Sequence, residues 1–158
     1  MRKLKSLNSI VKLLKGKTVA QVKKQLCGEL LGSGVYRDVY VFKQSPQHVI
    51  KIERDMSTAN FTNVTEWRNY IDLREWKSFS KYLAPCEAIS QTGQILVQQR
   101  IRHGQKNEYP KQIPAYFTDI KRSNYGWIGT QFVCCDYPML LSVTKSKIPL
   151  KKVNWNKN

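Results

Sequence analysis

The sequence predicts an α+β fold in which an antiparallel sheet is combined with one long helix. Apolar segments of strand length recur along the chain, and turns containing glycine or proline separate neighbouring segments, which predicts the sheet. Residues 57–83 carry large apolar side chains at helical spacing, which predicts the helix. Since the strands come in adjacent pairs, hairpins are favoured over parallel crossovers.

The first 28 residues predict a basic segment of two short helices separated by Gly16. Thr18 is placed to cap the second helix, which would run to Lys24 or Gln25. Two interpretations stay open: the lysines bind an anionic partner, or the helices pack on the main domain with their lysines in solvent. The predicted apolar faces consist of Leu4, Leu7, Val11 and Leu14 in the first helix, and of Val19, Val22 and Leu26 in the second.

From residue 29 onward the hydrophobic period changes to that of strands. The polar stretch 103–114, which contains two prolines, predicts a loop. The apolar stripe of the long helix is predicted to contain Phe61, Val64, Trp67, Ile71 and Trp76. The predicted strands, which pair as three successive hairpins, are 35–42, 48–53, 88–90, 94–101, 125–128 and 131–135.

The net charge of +16 is concentrated at the two ends of the 158-residue chain. Residues 1–24 carry eight lysines or arginines and residues 139–158 carry five lysines, with no acidic residue in either segment. An excess of basic over acidic residues of this size favours a polyanionic partner such as nucleic acid. Because the middle of the chain is nearly neutral, we expect one domain flanked by basic docking segments, with boundaries at 1–28, 29–138 and 139–158.

Several classes of protein are excluded by composition. No apolar run is long enough for a membrane span, and the aromatic content is too high for a wholly disordered chain. The four cysteines lack the spacing of a zinc site or a disulfide framework, which favours reduced thiols and a cytoplasmic location. These cysteines are Cys27, Cys86, Cys134 and Cys135.

Two candidate functional motifs lie in the first half of the chain. Gly32 and Gly34 precede a strand that contains Val39, an arrangement that allows backbone N–H groups to approach phosphates and that also occurs in plain tight turns. Lys51 interrupts an apolar strand, where an ammonium group requires a partner unless it lies at an edge. Glu66, fifteen residues later in the predicted helix, is the candidate partner unless its carboxylate is solvated.

Two further candidate functional motifs lie in the second half of the chain. Asp119, Lys121 and Asn124 form a D-x-K-x-x-N segment in a loop before a strand. Asp136 ends the apolar run of the following strand, where a carboxylate binds a metal, transfers a proton or simply caps a turn. Together these groups supply the donors, cations and oxygen ligands that a nucleoside triphosphate with Mg²⁺ needs.

In this order the segments resemble the eukaryotic-type protein-kinase-like superfamily, which includes antibiotic phosphotransferases. The resemblance extends over residues 29–138: LGSGVYRDVY is similar to the phosphate loop, HVIKIE to the lysine strand, DIKRSN to the catalytic loop and CDYP to D-F-G. It implies a kinase-like N-terminal lobe, an antiparallel sheet with an αC-type helix. It also implies ATP and Mg²⁺ as cofactors.

The resemblance also implies a role for each residue. Gly32, Gly34 and Val39 would contact ATP, and Lys51, oriented by Glu66, would hold its phosphates. Asp119 would position or deprotonate the acceptor hydroxyl while Lys121 pairs with the transferred group. Asn124 and Asp136 would bind Mg²⁺.

The chain departs from the family at several positions. Arg37 replaces the third loop glycine, Phe117-Thr118 replace the H-R before the catalytic Asp, and Pro138 ends the D-F-G segment. Only 22 residues follow Asp136, so we expect a strongly reduced C-terminal lobe. Small size and high lysine content favour a phage or mobile-element source, with activity in the host cytoplasm.

Three functions remain open from the sequence. The first is a minimal phosphotransferase that acts on a protein, on itself or on another hydroxyl acceptor. The second is an inactive kinase-like module that docks a host protein or nucleic acid through its basic ends. The third is a simple nucleic-acid-binding domain, which explains the charge but not the ordered motifs.

Overall fold

The computed structural model describes residues 7–54, 61–141 and 147–155, of which residues 7 and 8 are described by their backbone alone. None of the helices in these ranges is both long and apolar enough to cross a membrane. In chain order the elements are α1 (Leu7–Leu14), α2 (Val19–Gln25), β1 (Cys27–Ser33), β2 (Arg37–Phe42), β3 (His48–Glu53), α3 (Thr62–Leu73), α4 (Lys77–Ser80), β4 (Cys86–Ile89), β5 (Ile95–Gln99), β6 (Gln112–Pro114), β7 (Tyr125–Ile128), β8 (Gln131–Cys134) and β9 (Leu150–Lys152), with 3₁₀ turns at Lys106–Glu108 and Arg122–Asn124.

The chain divides into two compact units. The first contains residues 1–67 and 85–100, and the second contains residues 68–84 and 101–158. In the first unit, five antiparallel strands form one sheet in the order β1-β2-β3-β5-β4. The predicted α+β class and the first two predicted hairpins are therefore confirmed. The domain boundaries proposed at residues 28 and 138 stay a prediction.

The two N-terminal helices contribute to the core of the first unit. Thr18 caps α2 with a reciprocal capping box to Gln21, as its sequence predicts. The predicted apolar face of α1 is partly wrong, because Val11 is 50% exposed while Ile10 and Leu14 are buried. Leu4 lies outside the described residues. This packing favours the interpretation of the segment as structural, since removing it would expose core residues.

Substitution of Ile10 by alanine tests this structural role. We expect a loss of about 2–5 kcal/mol of unfolding free energy, because the side chain packs in the core beside Leu14. The matched control is Val11→Ala one residue later, which should change stability by less than about 0.5 kcal/mol. Urea denaturation measures both, and equal effects would show that α1 does not pack as described.

The long helix is shorter than predicted and buries a different face. The sequence pattern extends over 57–83, whereas α3 ends at Leu73 and only the short α4 follows. The predicted apolar stripe is wrong at Phe61, which is 46% exposed, and its other four members are only half-buried. The fully buried positions of α3 are Asn63 and Glu66. The reason is that this helix is attached to its sheet by polar contacts, which a hydrophobic pattern does not report.

The second unit is built around aromatic side chains. The predicted hairpin is observed as β7 and β8, and Gly129 in its turn has a φ of 59°. The sequence predicts neither β6 nor β9, which pair antiparallel and convert part of the predicted loop and of the basic C-terminal segment into sheet. The rings that pack here include Tyr109, Tyr125, Trp127, Phe132 and Trp155.

Candidate functional site

Lys51 and Glu66 form a buried ion pair in the first unit. Lys51 lies on β3, the central strand, with 3% of its surface exposed, and Glu66 on α3 is fully buried. The Lys51 Nζ lies 3.1 Å from Glu66 Oε1 and 3.0 Å from Oε2. An ammonium group in a sheet interior is tolerated when a carboxylate accepts its hydrogen bonds. The pairing predicted from the sequence is therefore present in the structure.

Two further donors, which the sequence reasoning missed, bind the same carboxylate. The Arg37 Nη1 lies 2.6 Å from Glu66 Oε2, and the Gln98 Nε2 donates to Oε1 at 3.3 Å. Alternation along β2 places Arg37 on the same face as Val39. Val39 is the cross-strand partner of Lys51. A buried arginine near this lysine could thus have been found from the strand register.

The glycine-rich segment contains the end of β1, where Gly32 pairs with Val39, and the start of the turn to β2, where Gly34 lies. The Gly34 N–H donates to the Arg37 carbonyl at 2.9 Å. A Cβ at Gly32 would meet no atom within 4 Å, and one at Gly34 would meet only the Arg37 carbonyl, at an ordinary 3.5 Å. Packing among the described residues therefore does not require glycine at either position.

Asp38 fixes the base of this turn. Its carboxylate accepts from the Ser33 hydroxyl at 2.7 Å and from the Arg54 Nε at 2.9 Å. The Arg54 guanidinium, with a smaller contribution from Ser33, holds the pKa of the Asp38 carboxyl below its usual range. Asp38 is therefore ionised at neutral pH and ties the turn to the end of β3.

The D-x-K-x-x-N segment forms a compact side-chain cluster in the second unit. The Asp119 Oδ2 accepts from the Asn124 Nδ2 at 3.0 Å and from the Lys121 Nζ at 3.2 Å. Among the described residues Asp119 Oδ1 has no hydrogen-bond partner, and the side chain is 42% exposed. The sequence predicted these three residues as one group, and the structure brings them together.

Tyr125, which is not among the predicted site residues, holds the backbone of this cluster through its hydroxyl group. Burial raises the pKa of its phenol, which therefore stays protonated and donates to the Asp119 carbonyl at 3.3 Å. The same carbonyl accepts from the Asn124 amide at 3.4 Å. The backbone of the loop is thus held at the residue that carries the exposed carboxylate.

The segment that leads to Asp136 is bonded to the backbone of this cluster. The Cys135 N–H donates to the Asn124 carbonyl at 2.8 Å, because β7 and β8 form a hairpin whose two ends meet. The residue that precedes β7 and the segment that follows β8 are therefore neighbours. The following Tyr137 is buried, and its hydroxyl donates to the Ala84 carbonyl at 2.6 Å.

Asn69 is a further residue that sequence reasoning did not identify. Its amide donates to the carbonyls of Tyr137 and Pro138 at 2.9 and 3.1 Å. No periodic pattern distinguishes an asparagine with this role from a solvated one. Through these two bonds α3 holds the segment that follows Asp136.

The donor set of this hairpin suits a hard cation. The described residues contain no cluster of three or more His, Cys, Asp or Glu side chains that could hold a metal alone. Asn124 and Asp136 nevertheless offer an amide oxygen and a carboxylate, and Mg²⁺ is commonly held by one or two protein oxygens together with phosphates and waters. Since the Asn124 amide nitrogen faces Asp119, its carbonyl oxygen points away from that carboxylate.

Comparisons with known proteins add a partial likeness. No family model matches the chain, and no curated protein matches it. Among solved structures it is similar to the ternary complex of streptomycin, ATP and APH(2″)-IIa, with 20% sequence identity and a TM-score of 0.39. The match covers 66% of this chain and 31% of that protein, so the chain spans less than a third of its length. A likeness of this size assigns neither activity nor substrate to the chain.

Proposed function

We propose that the chain is a minimal ATP- and Mg²⁺-dependent phosphotransferase with a kinase-like N-terminal lobe, in which α3 is the αC-type helix, and a reduced C-terminal lobe. The observation that carries this proposal is the cluster just before β7, in which the exposed Asp119 carboxylate contacts the Asn124 side chain while a backbone bond from Cys135 to Asn124 brings in the segment that leads to Asp136. A proton acceptor beside two ligands for a hard cation is the arrangement that phosphoryl transfer requires.

The first unit would bind the nucleotide. Without a Cβ, the backbone at Gly32 and Gly34 leaves space for phosphates to approach. Phosphate binding would therefore explain why glycine occupies two positions where packing does not require it. Lys51, oriented by Glu66, would donate to the phosphates, and Val39 opposite Lys51 would contact the nucleotide.

Asn124 and Asp136 would hold Mg²⁺, which when bound neutralises charge on the triphosphate. The ligand set fits because both side chains offer oxygen and because waters and phosphates complete the coordination of this ion. Tyr137 and Asn69 would keep Asp136 in place through the chain segment that follows it.

Asp119 would act on the acceptor. With Oδ2 held by Asn124 and Lys121, Oδ1 is the atom that can accept the proton of an acceptor hydroxyl. The hydroxyl oxygen then forms a bond to the terminal phosphorus as the bond from that phosphorus to the β-phosphate oxygen breaks. Lys121, which is 66% exposed, is long enough to turn from Asp119 to the transferred group.

The alternative is an inactive module that docks a host protein or nucleic acid through its basic ends. The packing of those ends weighs against it. Ile10 and Leu14 are core residues, β9 pairs with β6, and Trp155 is buried. Segments that complete a core are poorly suited to serve as free docking arms.

A thermal shift with ATP and MgCl₂ tests the proposed function. Binding should raise the unfolding free energy by about 2.7 kcal/mol when ATP is at 100 times its Kd. Lys51→Met and Asp136→Asn should reduce the shift. Lys51→Met is expected to fold, because Arg37 and Gln98 still bind Glu66.

The matched controls are Lys77→Met and Asp72→Asn, which make the same chemical changes at exposed positions. Both controls should keep the full shift. Absence of any ATP-dependent shift in the wild-type chain would contradict the proposal.

A further inference from the structure

We propose that Arg37 is a positioning residue for Lys51, acting through Glu66, so that a neighbouring strand of the same sheet holds the carboxylate that orients the lysine. This inference rests on the proposed function for its consequence in nucleotide binding. Its structural part depends only on contacts within the first unit.

The first step is the geometry of the Arg37 guanidinium. Its Nη1 contacts both Glu66 Oε2 at 2.6 Å and Asn63 Oδ1 at 2.9 Å. Glu66 and Asn63 are the two buried positions of α3. One nitrogen of a single side chain from β2 therefore binds both buried positions of the helix.

The second step is that Asn63 also forms hydrogen bonds to residues of the sheet. Its amide donates to the carbonyls of Lys51 at 3.2 Å and Gln94 at 2.8 Å. Its backbone N–H donates to Glu53 Oε1 at 2.6 Å, which satisfies an N–H group in the first turn of α3. The helix is thus attached to β2, β3 and the start of β5 by polar bonds whose partners are all buried or half-buried.

The third step is the charge balance. Arg37, Lys51, Glu53 and Glu66 are all buried, and they supply two positive and two negative charges. With Arg37 present, Glu66 is held from two directions, by Arg37 on β2 and by Lys51 on β3. The carboxylate therefore keeps its place when the lysine turns its hydrogen bonds toward a phosphate.

The experiment measures the acylation rate of the Lys51 amine in the full-length chain by mass spectrometry. Arg37→Gln should raise this rate about tenfold, because a Glu66 carboxylate that Arg37 no longer holds in place releases the Lys51 amine from its buried pair. A lower rate would overturn the inference, since it would show that Arg37 competes with Lys51 for the carboxylate. Arg37→Lys keeps the charge on a shorter side chain, and should give an intermediate rate. The control Arg102→Gln removes a guanidinium from an exposed bridge to Glu108 and should change nothing.

A double-mutant cycle separates positioning from general stabilisation. In the Glu66→Gln background, Arg37→Gln should add little to the labelling rate, because Arg37 is proposed to act through that carboxylate. An equally large effect in both backgrounds, or no effect of Arg37→Gln in the wild-type background, would overturn the inference.

Nucleotide affinity provides the functional readout. If the wild-type chain binds ATP, Arg37→Gln should weaken binding about tenfold while Arg102→Gln leaves it unchanged. Equal ATP affinity of wild type and Arg37→Gln would overturn the functional part of the inference. If the wild-type chain binds no ATP, the proposed function fails, and the labelling cycle still decides whether Arg37 positions Lys51.

Discussion

Substitution of Asp119 by alanine is expected to abolish phosphoryl transfer while leaving ATP affinity nearly unchanged. The Asp119 side chain contacts the incoming hydroxyl in the proposed mechanism, whereas nucleotide and metal are assigned to other residues. Loss of a general base lowers kcat by about 10²–10⁴-fold. A loss confined to turnover indicates an interaction that forms only in the transition state. Radiolabelled phosphate transfer and ATP titration measure the two quantities.

Asp119→Asn is the more selective variant, because it keeps the shape of the side chain and removes only its ability to accept a proton. Its amide oxygen can still accept hydrogen bonds from Lys121 and Asn124. The assay should include the chain itself as acceptor, since Ser33 and Thr130 offer exposed hydroxyls. A biological activity that survives Asp119→Ala unchanged would show that the chain works as a binding module.

Substitution of Glu66 is expected to destabilise the chain more than substitution of Lys51. Glu66→Gln leaves the buried cations of Arg37 and Lys51 without their shared carboxylate, and breaking a buried ion pair costs about 3–5 kcal/mol. Lys51→Met leaves Glu66 bound by Arg37 and Gln98, so its cost should be smaller. Urea denaturation of the two variants measures the difference.

The control for the second prediction is Glu75→Gln, which removes an exposed carboxylate paired with Arg74 and should have almost no effect. A simple two-residue ion pair would give similar losses from either side. Equal destabilisation by Glu66→Gln and Lys51→Met would therefore show that Arg37 does not share the carboxylate.

The hairpins were predictable from sequence because their signals are local. Alternation and a turn glycine lie within a dozen residues of one another, as at Gly93 and Gly129, both of which have positive φ in the structure. The extent of α3 was not predictable in the same way. Its buried face is Asn63 and Glu66, and a periodic apolar pattern cannot report a helix that is held by hydrogen bonds.

The residues of the candidate site also differ in whether the sequence could predict them. Lys51 and Glu66 were predicted as a pair because an isolated charge in an apolar strand requires a partner and the family resemblance indicated which one. Arg37 and Gln98 reach the same carboxylate only through strand register, which brings β2 and β5 to opposite sides of β3. For Gln98 that register belongs to β3 and β5, strands distant in sequence whose pairing a single sequence does not report, whereas Arg37 lies on a hairpin that the sequence predicts.

The strand order β1-β2-β3-β5-β4 has a consequence for the rate at which the first unit forms. The pairs β1–β2, β2–β3 and β4–β5 join neighbours in sequence and can form as local hairpins. The pair β3–β5 must close across the whole of α3 and β4, as in the register partners Ile50 and Val97. Loop closure over that distance is entropically unfavourable. We therefore expect the folding transition state to be the docking of the β4–β5 hairpin onto the three-stranded meander of β1, β2 and β3, with α3 completed as the two meet.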